Sequence, residues 1–555
     1  MPVPTPLARP TLPTEVDRSG ATSDDTPKVQ HDLVVAANRL PVRRQESGEW
    51  ALSPGGLVTA MAAVMEDRNG GWIGWSGDRG AAAEPAFAHG GMTLHPVALS
   101  DDEYENFYEG FSNATLWPLY HNGLLPTRFR RPWWTAYCAV NERFAEVAAR
   151  TIAPDGILWV HDYHLQLVPA LVRAARPDVR IGFFLHTSFP PSQLIMRLPW
   201  RSEITEGLLA ADVIGFQTVT DARNFLALAS RVAGVPETLM DPDRTVAIEH
   251  DNRSVTVGVW PISIDVAKIE MLAADAVAAD APREFRRTLG DPSHVILGVD
   301  RLDYTKGIDA RLRAFRELLK DGELDPSEVV FVQVATPSRD NVPGYTDTRA
   351  DIERLVGEIN GDYASIGGPV VHYLHATMPF DELVPMYLAA DVMAVTPYQD
   401  GMNLVAKEFV ASRIDDRGVL LLSEFAGASD ELDDALSCNP FDISGLKRRL
   451  HDALEVPPSE QAARMARMRD HVRHHDVDRW AQGFLGTLVG AELCSVSTSP
   501  LAPSAACSDR RRRFGARSQR RTQCSRLGAA SGAAGIAGRP SGSSGRFIVL
   551  GPARA

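Results

Sequence analysis

Asp400-Gly401-Met402-Asn403-Leu404-Val405-Ala406-Lys407-Glu408 leaves the apolar run Asp391 to Pro397 and enters a helical pattern. A strand that ends at Pro397-Tyr398 and turns through Gly401 aims the free N–H groups of the next helix, at its positive dipole end, toward an anion. On helical spacing Glu408 lies about two turns beyond Asp400, close enough for both to meet one extended ligand. A nucleotide-sugar fits: diphosphate at the helix start, Asp400 on sugar hydroxyls, Glu408 on both ribose hydroxyls. Taken alone, the same residues also fit a surface loop with solvated acids, since short motifs recur by chance.

The chain around this stretch alternates buried strands with helices. Apolar, β-rich runs occur at Leu33 to Ala37, Ile157 to Val160, Ile181 to Leu185, Val213 to Phe216 and Val255 to Val259. A second series follows at Val295 to Val299, Val329 to Val334, Val370 to Leu374, Val392 to Val395 and Val419 to Leu422. Near-continuous apolar strands separated by helical segments signal parallel sheets covered on both faces. The expected class is therefore α/β, with two doubly wound units divided near Trp260-Pro261-Ile262. Ligands gather at the carboxyl ends of such strands, so the cleft between the units is the place to seek a site. No G-x-G-x-x-G follows the first strand, which weakens a nicotinamide or flavin reading.

Composition bounds the answer. A length of 555 residues, 44% of them apolar and 23% charged, is that of a soluble protein too long for one ordinary core. No apolar run is long enough to span a membrane, and the Pro- and Thr-rich start has neither the basic end nor the apolar core of a secretory signal, so a cytoplasmic enzyme is expected. Five cysteines at irregular spacing argue against a disulfide framework. The net charge of −14 conceals an asymmetry: residues 491–555 carry eleven arginines against Glu492 and Asp509, or +9, leaving −23 for residues 1–490. So acidic a body makes nucleic acid an unsuitable partner, and a phosphate pocket must be a local basic island. Residues 1–28 and the Ser/Gly/Arg-rich stretch 493–555 have no core-forming pattern and read as disordered; a basic arm for an anionic partner is the alternative for the tail.

The strand ends carry the chemistry. The first gives Asn38-Arg39, followed by Gly55-Gly56 before a helix, where close backbone approach to phosphate is possible. The Ile157 to Val160 strand ends in His161-Asp162-Tyr163-His164. A metal is the tempting reading, but no further ligand series is near and the two histidines diverge unless the turn joins them, so Asp162 is read as an acceptor for a sugar hydroxyl. His186 closes another buried strand. Arg301 and Lys306 flank a turn after Val299, suited to stabilising the charge on a departing diphosphate. Thr336 to Arg339 adds hydroxyls and a further guanidinium, so two anionic ligands are implied.

In that order, these segments resemble the trehalose-6-phosphate synthases, retaining glycosyltransferases of family 20 with the two-Rossmann-domain GT-B fold. The resemblance covers roughly residues 31–490 and rests on Asn38-Arg39, Ser53 to Leu57, Gly74 to Gly77, Phe111 to Pro118, Trp159 to Leu165, Gly182 to His186, Arg301 to Gly307, Thr336 to Arg339 and Asp400 to Glu408. It implies an acceptor domain over 29–260, a nucleotide-sugar domain over 261–475, and a helix over 476–492 packing back on the first. It implies transfer of glucose from a nucleoside diphosphate glucose, UDP- or ADP-glucose, to glucose 6-phosphate. Arg39, Tyr108, Trp117, Asp162 and Arg339 then match the acceptor pocket, with Arg39 and Arg339 on the phosphate. Gly55, Gly56, Arg301 and Lys306 match the donor diphosphate site; His186, Asp400, Gly401, Met402 and Asn403 the donor sugar and its loop; Leu404, Val405, Glu408 and, by a backbone contact, Met378 the nucleoside end. Asp162, His186, Arg301, Lys306 and Asp400 are the residues expected to carry catalysis. No cofactor or metal is expected, and the resemblance implies a homo-oligomer, a homotetramer.

A double displacement needs a carboxylate nucleophile with a second acid or base beside it, and the sequence offers no obvious pair. The resemblance points instead to same-face substitution, in which the leaving phosphate takes the acceptor's proton and Arg301, Lys306 and the helix start stabilise charge. The alternatives are a non-catalytic sugar-phosphate sensor of the same fold, or a GT-B transferase with another phosphorylated acceptor.

Overall fold

Runs of Val, Ile, Leu and Phe without polar interruption can be satisfied only where both faces of a strand are covered, and they build two parallel sheets. The computed structural model describes residues 30–45, 48–52, 61, 65, 70–80, 84–240, 245–339, 343–366 and 368–490. The readings made for residues 1–28 and 493–555, and for Gly55 and Gly56, lie outside these residues. All described residues belong to one compact unit.

Among them the first half of the chain supplies β1 (His31–Arg39), β2 (Val42–Arg44), β3 (Trp50–Leu52), β4 (Gly71–Trp75), β5 (Phe87–His89), β6 (Met92–Pro96), β7 (Ile152–His161), β8 (Arg180–Phe184), β9 (Val213–Phe216), β10 (Thr245–His250) and β11 (Arg253–Val259). Nine of these form one sheet in the order β10-β11-β9-β8-β7-β1-β4-β6-β5, while β2 and β3 pair as a separate ribbon. The centre is parallel, with Val35 opposite Trp72 on one side and Trp159 on the other. The second half supplies β12 (His294–Arg301), β13 (Val329–Thr336), β14 (Val371–Leu374), β15 (Val392–Val395), β16 (Val419–Ser423) and β17 (Leu436–Cys438). They form a sheet in the order β14-β13-β12-β15-β16-β17, parallel throughout. The fold is thus α/β, with two doubly wound sheets.

In each sheet the chain moves off in both directions from its first strand: β1 lies between β4 and β7, and β12 between β13 and β15. Such reversals open a crevice at the carboxyl ends of the strands. Arg39 and His161 end β1 and β7, and Arg301 ends β12, so the topology itself carries these groups to the crevices.

The ten strands read from the sequence are all present, some longer by one to six residues. Those it missed are instructive. The wholly buried β4, Gly-Trp-Ile-Gly-Trp, is broken by two glycines that hide its apolar run, and β5, β10 and β17 are short or half-exposed edge strands. The helix Leu404–Ser412 begins four residues after Asp400, so Asp400 to Asn403 form a loop and Glu408 lies in the helix's second turn.

The helix Val477–Val489 returns to the first sheet. Phe484 stacks on Trp159 with ring centroids 4.8 Å apart. Glycines at 182 and 215 make room: a Cβ there would stand 2.7 and 2.8 Å from the Phe484 ring. One apolar cluster runs from Leu33 and Trp159 through Ile262 to Val295, Phe409 and Trp480, joining both sheets to this helix.

Candidate active site

A cavity of about 700 Å³ opens where the two sets of strand ends face each other. Its walls include Arg39, Asp162 and His186 from the first sheet and Arg301, Lys306, Asp400, Met402, Asn403, Leu404 and Val405 from the second. Of the other residues singled out in the sequence, Tyr108, Trp117, Arg339, Met378, Gly401 and Glu408 are not among its lining residues.

On the first side, Arg39 lies over the Trp75 ring at 4.0 Å and near Tyr108 at 5.8 Å. Gly77, at φ 103°, leaves the space: a Cβ there would stand 2.4 Å from Arg39 Nη1. Arg39 has no carboxylate partner among the described residues, so its charge is available to a ligand. Asp162 sits at φ 72°, a conformation costly for a non-glycine residue and frequent at functional sites. Its Oδ1 accepts a bond from the His186 N–H at 3.3 Å. Burial pushes its carboxyl up to about 6, with those backbone bonds and the Arg301 and Arg339 charges pulling the other way. The diverging histidines behave as the sequence suggested: His161 turns to His186, 3.0 Å away, whereas His164 stacks on Tyr108. Among the described residues, the group of metal-ligating type that does converge, Glu206, His250 and Asp251, lies outside the cavity lining.

On the second side, Asp303 caps the turn Tyr304–Lys306, and Gly307, at φ 58°, reverses the chain into the helix Ile308–Lys320. This puts Lys306 Nζ 2.6 Å from Asp400 Oδ2, which also accepts from Asn403 Nδ2 at 3.0 Å. Burial works to raise the Asp400 carboxyl, but Lys306, joined by Asn403 and His121, holds the group below the ordinary carboxylate range. Asn403 Oδ1 accepts the Ala406 N–H at 3.0 Å, capping the helix whose first residues, Leu404 and Val405, line the cavity. Amides in that first turn have no partner within the helix, so positive dipole and lysine converge on one spot. Gly401 passes so close to the opposite wall that a Cβ would stand 2.2 Å from the His186 carbonyl oxygen.

Arg339 lies deeper. Its guanidinium covers the Trp117 ring at 3.9 Å, and Arg301 approaches the same ring at 5.5 Å. Arg339 also pairs with buried Asp303 at 3.2 Å, donates to the Tyr163 hydroxyl at 3.1 Å and bonds Tyr345. Tyr108 feels the cluster: burial alone would raise its hydroxyl, but Arg339 and then Arg39 bring it below its usual range. The Trp117 Nε1–H is buried with no partner among the described residues, a donor left for a ligand. Glu408 is nearly buried and accepts from the Tyr387 hydroxyl at 3.1 Å; burial pushes it up to about 7. Met378 is half-buried in the loop after β14 and packs on the main apolar cluster.

Several supporting residues escaped the sequence reading. Fully buried Arg311 bonds Asp300, Gln333 at 2.9 Å, Thr396 at 3.2 Å and the Lys306 carbonyl at 3.3 Å, so one guanidinium fixes the loops after β12 and β15. Lys407 joins Glu431 at 2.7 Å and the Ile262 carbonyl at 2.8 Å, tying the helix at the cavity to the crossover between the sheets. Gln399 bridges to the first side, accepting from Asn122 at 2.9 Å and donating to Ser188 at 2.8 Å. Only Arg311 and Lys407 carried a signal, a cation on the apolar face of a helix. The partners of Gln399, 277 and 211 residues away, had none.

The profile of glycosyltransferase family 20 matches residues 29–489. The trehalose-6-phosphate synthase of Mycolicibacterium gilvum is 50% identical over 488 residues, which cover 86% of this chain and 97% of that protein. The Mycolicibacterium smegmatis protein of the same name is 50% identical over 464 residues, 82% of this chain and 92% of its own. Among solved structures, a UDP-forming alpha,alpha-trehalose-phosphate synthase from Burkholderia xenovorans in complex with glucose-6-phosphate superposes with a TM-score of 0.76. It is 35% identical, and the match covers 82% of this chain and all of that one. The two-sheet architecture is therefore the GT-B fold, and this chain belongs to glycosyltransferase family 20.

Proposed function

We propose that this protein is a retaining glucosyltransferase that moves glucose from a nucleoside diphosphate glucose to glucose 6-phosphate, giving α,α-trehalose 6-phosphate. The observation that carries this reading is the charge layout of one cavity. Unpaired Arg39 stands on the first side, and Arg301, Lys306 and a capped helix start stand on the second. Two separate cationic positions fit two phosphorylated substrates, and the names of the relatives agree with that pair.

In this assignment Lys306, Arg301 and the amides of the first helical turn hold the donor diphosphate and stabilise the charge it gains as the glycosidic bond breaks. Arg39 and Arg339 hold the acceptor phosphate, and Trp117 forms the floor between Arg339 and Arg301. Asp162 and Asp400 accept sugar hydroxyls and orient the rings. Asp400 is engaged by Lys306 and Asn403, which suits a positioning carboxylate better than a nucleophile. The acceptor hydroxyl therefore attacks from the face the diphosphate leaves, and the departing phosphate oxygen takes its proton. No metal step is invoked, because fixed cations occupy the place where one would act.

The readout is product identity. The protein is mixed with glucose 6-phosphate and UDP-, ADP- or GDP-glucose, with and without EDTA. Trehalose 6-phosphate and the matching nucleoside diphosphate are expected in both conditions; a product made only from unphosphorylated glucose, or activity abolished by EDTA, would refute the acceptor or the metal-free part. Homo-oligomeric assembly and a cytoplasmic location belong to the same proposal. No helix among the described residues is long and apolar enough to cross a membrane, and light scattering reads the assembly.

A further inference from the structure

His161 ends β7 and His186 follows β8, and the register that places His161 opposite Phe184 brings the two imidazoles together. His161 Nδ1 lies 3.0 Å from His186 Nε2, with the rings inclined by 22°. Only one hydrogen can occupy that line, so the tautomer of one ring fixes that of the other.

His161 is completely buried, and its Nε2 has no hydrogen-bond partner among the described residues. Its neighbours are aromatic: Trp159 at 4.7 Å, and Trp480 of the returning helix at 6.4 Å. Burial pushes both imidazoles down, His186 to about 3 and His161 well below its usual value, so both rings are neutral at neutral pH.

Two arrangements remain. If His186 donates from Nε2, His161 must carry its own hydrogen on Nε2, a buried N–H facing aromatic walls with no acceptor. If His161 donates from Nδ1, its Nε2 is a bare lone pair. An orphaned buried donor is rarer and costlier than an under-used acceptor, so the second arrangement is preferred. His186 must then hold its hydrogen on Nδ1, for which the described residues supply no acceptor, on a half-buried residue lining the cavity.

We propose that His161 is a positioning residue that locks His186 as the Nδ1–H tautomer, so that His186 offers a neutral hydrogen-bond donor to an oxygen of the sugar in the cavity. Trp480 supports this from the returning helix by excluding water that would otherwise accept from His161 Nε2. The identity of the sugar rests on the glucosyl-transfer reading; the tautomer does not.

The test is long-range proton–nitrogen NMR on histidine-labelled, substrate-free protein, with the two rings assigned from His161→Leu and His186→Gln. Both rings are expected to be protonated on Nδ1, and His186 in His161→Leu should shift toward the commoner Nε2–H form. Kinetically, His161→Leu should lower kcat/KM for the nucleoside diphosphate glucose about 10-fold, the worth of one neutral hydrogen bond, with KM for glucose 6-phosphate unchanged. His161→Asn, whose amide nitrogen can stand where Nδ1 stands, should recover most of the loss. Finding His186 protonated on Nε2 in the wild-type protein overturns the proposal, as does a His161→Leu spectrum in which His186 keeps its tautomer. If the substitutions fail to fold, the two rings are assigned in the wild-type protein by the nitrogen–nitrogen coupling across the bond between His161 Nδ1 and His186 Nε2, and that spectrum alone decides. If no glucosyl transfer occurs with any donor, the functional reading fails while the spectrum still judges the tautomer.

Discussion

Lys306 Nζ stands 2.6 Å from Asp400 Oδ2, with the two side chains only 9% and 15% exposed. The pair links the loop after β12 to the loop before the cavity helix, so the lysine assigned to the diphosphate is also the counter-ion of the carboxylate assigned to the sugar. Removing one partner of such a pair leaves a withdrawn charge uncompensated, at a cost of about 3–5 kcal/mol. Lys306→Ala should therefore lose both turnover, by about 100-fold or more, and stability. Arg301, exposed and without an acid partner among the described residues, should lose turnover alone when replaced by Ala. Urea melts beside initial rates separate the two, and equal destabilisation of both variants would show that the pair is not what distinguishes them.

The acceptor clamp is asymmetric in the same way. Arg339 is committed to Asp303 and two tyrosines, whereas Arg39 rests on Trp75 with its charge free. Arg39→Ala is the cleaner variant: losing one charge-assisted contact should weaken glucose 6-phosphate binding by about 1.5–3 kcal/mol, roughly 10- to 150-fold. Nucleoside diphosphate binding and the melting temperature should hardly move. Arg339→Ala should weaken the same ligand and also unfold more easily, because Asp303 is left buried without its cation. Calorimetric titration showing donor binding collapse in Arg39→Ala would place that arginine in the other pocket.

Glu408 gives a pH signature. Its folded carboxyl is raised from 4.5 to about 7 by burial. The folded state then binds more protons than the unfolded state between those values, so this group's contribution to stability is complete below about pH 4.5 and is lost as pH rises through 7. Relative to the wild type, Glu408→Gln should therefore gain stability from pH 5 to pH 8, by up to about 3 kcal/mol. If the ionised carboxylate grips the ribose, donor affinity should fall below pH 7 in the wild type and be flat in the variant. Parallel stability curves for the two proteins would contradict the raised value.

Gln399 ties the second side to the first with both ends of one amide, on Asn122 and on Ser188. A double-mutant cycle of Gln399→Ala with Asn122→Ala should show coupling of about 0.5–1.5 kcal/mol, one neutral hydrogen bond. KM for both substrates should rise in each variant. Strict additivity in urea would mean that the bridge does not hold the two walls together.

The sequence by itself determined the α/β class, the ten strands, the strand ends that carry Arg39, Asp162, His186 and Arg301, and a helix somewhere after Gly401, whose start at Leu404 only the structure fixed. All of these follow from local pattern: an uninterrupted apolar run needs cover on both faces, and polar residues just past it must lie at a sheet edge. Tertiary structure alone decided how the charges are spent. Nothing in Thr336 to Arg339 announces that Arg339 will be neutralised by Asp303, nor in Asp400 to Glu408 that the loop's acid will take Lys306. Partners 36 and 94 residues away are chosen by which strands lie side by side. Glu408 reads from the sequence as a ribose acceptor, but nothing there shows that Tyr387 will bond it and that burial will raise its carboxyl. Burial and pairing depend on the whole fold, and they set which cation remains free for a phosphate and which tautomer a histidine can show to a sugar.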